Sequence, residues 1–245
     1  MWWQMIISYL HKFVFIKTRK TAGSSMEIAL ATHAGADDIV TPLGFNEELE
    51  RYAYSPQALP RNFFQDRKAE AAFIDAIREG NKPQLKQIYR LQRQRGKSSV
   101  TARHGSATAA LKITGPEFWA GAYKFAVERH PYEKAVSLAW FERHGRRFDD
   151  VLEEVLRRDR YRNFDIYAAE GKPLVDFVVR YEHLDEDLRK VEWALGGLPI
   201  RARLPHVNSH QRQDRRPAAD ILSGAQKRAV QETCREEFEL LSYPT

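Results

Sequence analysis

Six consecutive residues carry the densest chemistry in the chain: Lys20-Thr21-Ala22-Gly23-Ser24-Ser25. A cation leads, and small or hydroxylated residues follow. Small side chains let an anion come close to the backbone, where successive amide N–H groups can point into one concavity. Lys17 and Arg19 add charge just before it. The nucleotide-triphosphate loop, G-x-x-x-x-G-K-[ST], is not present. A second cation at a promising place is Arg129, with Ser137 eight positions later. His104 is an imidazole that can accept a proton when neutral. Each has a plain alternative: a solvated basic turn, an Arg129–Glu133 ion pair with a helix serine, and an exposed or structural histidine.

These residues need elements to position them. Phe13-Val14-Phe15-Ile16 is a continuous apolar run, which predicts a strand buried on both faces. Met26, Glu27, Ile28, Ala29 and Leu30 are helix formers. Strand, basic loop and helix in that order would set unpaired amides and the positive dipole end against an anion. Residues 123–128 predict a second strand, with Arg129 at its end. Pro131 pre-sets the first turn of a helix whose packed face is Ala135, Val136, Ala139 and Trp140. A third strand is expected at residues 174–181, followed by Glu182-His183-Leu184 and an amphipathic helix. Residues 149–158 read as another amphipathic helix. Ser106 or Thr108 opens a helix that Gly115-Pro116 breaks. Ser223 and Gln226 form a capping-box pattern for the last helix, packed through Val230, Cys234, Phe238 and Leu241. Residues 33–60 are rich in turn formers and read as loop with short helical turns. Residues 69–77 read as helix.

The chain has 245 residues, 43% hydrophobic and 29% charged, which is globular composition. Its net charge of +6 favours anionic partners: nucleotides, acidic sugars, nucleic acid or anionic membrane. Seven Lys or Arg and no Asp or Glu lie between Asn81 and His104. That stretch is either a solvated face or a cationic wall for an incoming anion, and it lacks the aromatic pattern of an RNA site. One cysteine excludes an intrachain disulfide framework and fits a reducing compartment. The N-terminal segment MWWQMIISYLHKFVFI is interrupted too soon for a membrane span or a signal peptide, and leaves at most a weak surface contact through Trp2 and Trp3.

The loop from Lys20 to Ser25 resembles the phosphosulfate-binding loop of sulfotransferases that use 3′-phosphoadenosine 5′-phosphosulfate (PAPS), which commonly reads Pro-Lys-Thr-[Gly/Ala]-[Gly/Ser]-[Thr/Ser]-Ser. The second motif is more specific. The family's 3′-phosphate motif is an apolar strand ending in Val-Arg-Asn-Pro-Tyr-x-Arg, with a serine eight positions after the first arginine. Arg129, Pro131, Tyr132 and Ser137 match it. His104, a small-residue helix, Trp119 and the second strand follow the order seen in carbohydrate-type members, and the turn Arg180-Tyr181-Glu182 is also typical of them. The late basic segment from Leu204 to Arg216 is loosely similar to the loop that closes over the nucleotide, with Arg212, Arg215 and Arg216 either touching the cofactor or facing only solvent. The pattern departs in three places. Arg19 replaces a proline, which predicts a less rigid loop. Glu128 and His130 flank Arg129, and Glu128 is expected to compete for its guanidinium.

The expectation is one α/β domain over residues 1–245, P-loop-like, with a mainly parallel central sheet flanked by helices. The resemblance implies sulfuryl transfer from PAPS to a hydroxyl of a carbohydrate or glycoconjugate, in the cytoplasm, without a metal and without nucleic acid as partner. Lys20 would contact the oxygen bridging sulfur and phosphorus. Thr21, Ala22, Gly23, Ser24 and Ser25 would hold the 5′-phosphosulfate, and Arg129 with Ser137 the 3′-phosphate. His104 would be the base, with His183 and Glu128 as competitors. The rival functions are a small-molecule or nucleoside kinase with a variant phosphate loop, and a non-catalytic binder of anions or glycans.

Overall fold

The computed structural model describes residues 5–94, 106–205 and 212–245. In chain order the elements are β1 (Met5–Ser8), β2 (Phe13–Ile16), α1 (Gly23–Ala31), β3 (Ile39–Val40), α2 (Phe45–Tyr54), α3 (Arg67–Arg78), α4 (Lys82–Gln94), α5 (Ala107–Gly121), β4 (Tyr123–Glu128), α6 (Pro131–Glu142) and α7 (Phe148–Arg157). Then come α8 (Phe164–Tyr167), the small strands β5 (Ala168–Ala169) and β6 (Lys172–Pro173), β7 (Phe177–Arg180), α9 (Leu184–Ala194), α10 (Ala218–Ile221), α11 (Gly224–Thr233) and α12 (Arg235–Leu241).

The fold is α/β: a five-stranded sheet of order β3-β1-β2-β4-β7 flanked by helices. A mainly parallel sheet was expected; the sheet is mixed. β2 pairs in parallel with β4, and β4 with β7, while β1 is antiparallel to both β2 and β3. The reversed strand comes from the segment Met5–Ser8, whose short return through residues 9–12 makes a hairpin with β2. The Asp38 carboxylate secures that return, accepting from Ser8 Oγ at 2.7 Å and from the Tyr9 amide at 2.7 Å.

The apolar run of β2 is buried on both faces, as a central strand requires. Phe13 and Phe15 pack with Met26, Leu30, Phe125, Val179 and Leu188 on the side of α1 and α9. Val14 and Ile16 pack with Ala107, Ala110, Ala126 and Phe164 on the side of α5 and α8. α6, α7 and α10 to α12 form a third apolar cluster, and α2 to α4 a fourth.

Several boundaries differ from expectation. α2 lies inside the stretch read as loop. α4 gives the basic stretch a helix as far as Gln94. β7 is shorter than residues 174–181, because Pro173 belongs to the β5–β6 pairing and the Leu174 amide donates to Tyr167 O at 2.8 Å. Gly115, at φ 78°, kinks α5 where the break was expected. No helix among the described residues is long and apolar enough to cross a membrane.

Because β2, β4 and β7 run the same way, their carboxyl ends share one edge of the sheet. Pairing of Ile16 with Ala126, and of Glu128 with Arg180, sets the basic loop beside Arg129 and the Tyr181–His183 turn. Ligands of open α/β sheets bind outside that edge.

Candidate anion site at the strand ends

The loop leaves β2 at Ile16 and is bent by two residues in the left-handed region, Lys20 at φ 62° and Ala22 at φ 59°. Each such residue with a side chain costs about 1–2 kcal/mol, so neighbours must hold the bend. Thr18 supplies part of that hold: its hydroxyl donates to Val127 O of β4 and lies 2.7 Å from the Thr21 hydroxyl. Ala22 is the N-cap of α1 and brings no side-chain acceptor to the helix amides. The first turn of α1 thus presents backbone donors that the cap residue does not satisfy. Gly23 has a local reason: a Cβ there would come within 2.5 Å of Lys17 Cγ, whose chain lies across the loop.

Burial, and then the nearby charge of Arg129, push the Lys20 ammonium down to about 8, against the pull of Glu47 and Glu142. Its Nζ stands 4.4 Å from the centroid of the Phe141 ring. Half-buried beside Arg129, this lysine makes no ion pair among the described residues, and Glu47 and Glu142 act on it only electrostatically. Lys17 is differently placed, bonded to Ser24 Oγ at 3.0 Å and to the fully buried Glu27 at 3.0 Å.

Arg129 begins the second arm. Its guanidinium donates to Glu133 at 2.9 Å and lies 4.6 Å from the Tyr181 ring. Glu133 also accepts from Arg212 at 2.5 Å and from the Ala218 amide at 2.8 Å. Burial would raise that carboxyl; the amide, Arg129 and Arg212 outweigh it and hold it below the ordinary range. Glu133, Ser137 and Phe141 are successive i, i+4 positions on α6 and share one face. Since Phe141 meets Lys20, the half-buried Ser137 sits on the helix face turned toward the loop.

Lys20, Arg129 and the Ser137 face of α6 therefore come together, with Thr21 to Ser25 around the bend. Arg212 joins Arg129 through Glu133. Arg216 pairs with Asp214 instead, and Arg215 is exposed. Glu128 does not compete for the Arg129 guanidinium. Strand alternation points its carboxylate inward, to Lys134 at 2.8 Å, and it takes only the Arg129 backbone amide. His130 takes over the capping of α6, accepting from the Tyr132 amide at Nδ1 while Nε2 faces Pro244 O. Glu182 binds the His130 amide at 2.8 Å and the Tyr243 hydroxyl at 3.1 Å, a structural clamp. His183 is exposed and 3.9 Å from Glu186. His104 lies outside the described residues.

One chemically apt residue was not singled out from the sequence. Glu47, in the first turn of α2, accepts from Ser24 Oγ at 2.7 Å and acts electrostatically on Lys20. It also accepts from the Gly44 amide at 3.0 Å, closing the N-terminus of α2. The signal was present as Gly44-Phe45-Asn46-Glu47, a cap followed three residues later by glutamate.

Comparison of the chain with family models, with curated proteins and with solved structures gave no match.

Proposed function

We propose that this protein is a PAPS-dependent sulfotransferase acting on a hydroxyl acceptor of carbohydrate or glycoconjugate type. The observation that carries the reading is the convergence of Lys20, lowered by burial and by Arg129, with Arg129 itself at the ends of two parallel strands. The resemblance of both segments to the two phosphate-binding motifs of that family gives the convergence its chemical identity, and a P-loop-like domain is part of the same reading.

In this reading the acceptor oxygen attacks the sulfur of PAPS. The bond from sulfur to the bridging oxygen breaks, and adenosine 3′,5′-bisphosphate leaves. Lys20 would stabilise charge on that leaving oxygen, as preorganised donors do at developing anions. The loop and α1 amides would hold the 5′-phosphosulfate. Arg129 and Ser137 would hold the 3′-phosphate, which must displace or share Glu133. The acceptor proton needs a base: His104, or Glu47, which stands at the loop. A cytoplasmic setting belongs to the reading, supported by a single cysteine, Cys234, that is buried.

The test is single-turnover transfer of labelled sulfuryl from PAPS to a panel of sugars, glycolipids and phenols, with ATP and magnesium in parallel. Labelled acceptor from PAPS is the expected outcome. Phosphorylated acceptor from ATP would make the protein a kinase. Tight PAPS binding without transfer to any acceptor would make it a binding relative.

A further inference from the structure

The basic loop has no proline to stiffen it, yet it holds two left-handed residues. Its anchor lies far along the chain. Asn163 Oδ1 accepts from the Arg19 amide at 3.1 Å, and Asn163 Nδ2 donates to Arg19 O at 3.0 Å. Both backbone groups of the residue preceding Lys20 are thus bound by one side chain. The Arg19 guanidinium donates to Arg160 O and Arg162 O, each at 3.3 Å.

Asn163 is itself fixed from below. It is fully buried, and Nδ2 also donates to Glu128 Oε1 at 3.1 Å. Its amide and that of Phe164 donate to Glu237 Oε1 at 2.5 and 2.9 Å. Lys134 lies between Glu128 at 2.8 Å and Glu237 at 2.5 Å, and all three side chains are fully buried. Buried ions are costly unless paired and hydrogen-bonded. This cluster spends its hydrogen bonds on both arms of the site: Glu128 takes the Arg129 amide, and Asn163 takes Arg19.

We infer that Asn163, set by the Glu128–Lys134–Glu237 cluster, is the positioning residue of the anion loop, so that α12 helps to build a site it does not touch. Asn163 does the work that a proline before Lys20 would do, and couples it to the strand end that carries Arg129. Its ligand consequence presupposes that residues 20–25 hold the nucleotide; the positioning itself does not.

The test is hydrogen exchange over residues 17–24, against residues 13–16 and 123–128 as internal standards, together with binding of adenosine 3′,5′-bisphosphate and thermal melting. Asn163→Ala should speed loop exchange about tenfold, the scale of one or two net hydrogen bonds, and leave the strands unchanged. Bisphosphate binding should weaken about tenfold. Glu237→Ala should reach the same loop from α12. Asn163→Ser, which leaves a smaller cavity, replaces the alanine variant if that does not fold. Unchanged loop exchange, or equal acceleration of loop and strands, would overturn the proposal. A loosened loop in a protein whose unaltered form binds no bisphosphate would keep the clamp and remove the sulfuryl-transfer reading.

Discussion

The two arms of the candidate site solve the same electrostatic problem in opposite ways. The loop arm leaves Lys20 outside any ion pair among the described residues: the ammonium is lowered to about 8 by burial and by Arg129 against the more distant pull of Glu47 and Glu142, above a helix start that its own cap does not satisfy. The Arg129 arm is already partly paired, with one carboxylate shared by two arginines. Glu133 sits between Arg129 and Arg212, and Tyr181 covers the guanidinium face. An anion entering the loop gains what the fold withheld. An anion reaching Arg129 must first compete with a carboxylate. Equal numbers of cations thus do not mean equal binding: the loop should dominate both affinity and chemistry, and Arg129 should act mainly in discrimination.

The largest effects should come from the groups that move the proton and receive the leaving charge. General-base catalysis typically contributes roughly 10²–10⁴-fold. If Glu47 is the base, Glu47→Gln should cost that much in single-turnover transfer while PAPS still binds, and His104→Ala should cost little. The reverse pattern would return the role to His104 and leave Glu47 as the cap of α2. Next comes Lys20→Ala, which should lower turnover by about 10²–10³, the scale of losing one preorganised donor. Its effect on nucleotide affinity should be smaller, since the amides remain. Unchanged turnover would make Lys20 a bystander and erase the contrast between the arms.

The second arm predicts smaller numbers. A charged hydrogen bond is worth roughly 1.5–3 kcal/mol, and Arg129→Ala should fall at the low end because Glu133 already satisfies part of the guanidinium. The loss should appear with adenosine 3′,5′-bisphosphate and not with the 5′-monophosphate. Glu133→Gln sharpens the point. Removing the competing charge should tighten bisphosphate binding by roughly tenfold, about 1.4 kcal/mol. Weaker binding instead would show that Glu133 aims the two arginines more than it opposes their ligand.

What the sequence revealed follows from how locally each feature is encoded. The apolar run of β2 and the small residues after it are consecutive, so strand, loop and helix start were all legible. Arg129 and Ser137 are encoded within one strand end and one helix, and Arg129 meets Glu133 on the α6 face that Ser137 shares. The mixed sheet was less visible, because the direction of a strand depends on the turn before it, and the return at residues 9–12 contains no strong turn dipeptide. α2 was hidden among turn formers, and Glu47 with it. Its value depends on Ser24 and Lys20, more than twenty positions away. Asn163 had no local signal at all. Glu128 looked like a rival for Arg129 because adjacency in sequence suggests contact, whereas neighbours on a strand face opposite ways.

The smallest predicted effect is a fraction of a proton, and it bears most directly on the difference between the arms. An exposed lysine is charged throughout the neutral and mildly alkaline range. Lys20 is lowered to about 8, first by burial and then by Arg129, so part of its population is neutral at pH 8. A bound phosphosulfate or phosphate would favour the charged form and raise that value again. Binding at pH 8–9 must therefore take up protons, and affinity should decline as pH rises through 8. At pH 6.5 the ammonium is already formed, so uptake from Lys20 should vanish. Calorimetry of adenosine 3′,5′-bisphosphate binding in buffers of different ionisation enthalpy measures the uptake directly. It should disappear in Lys20→Met and persist in Arg129→Lys. Proton uptake at pH 8.5 that survives Lys20→Met would place the titrating group elsewhere and take from the loop arm the unpaired lysine that sets it apart from Arg129.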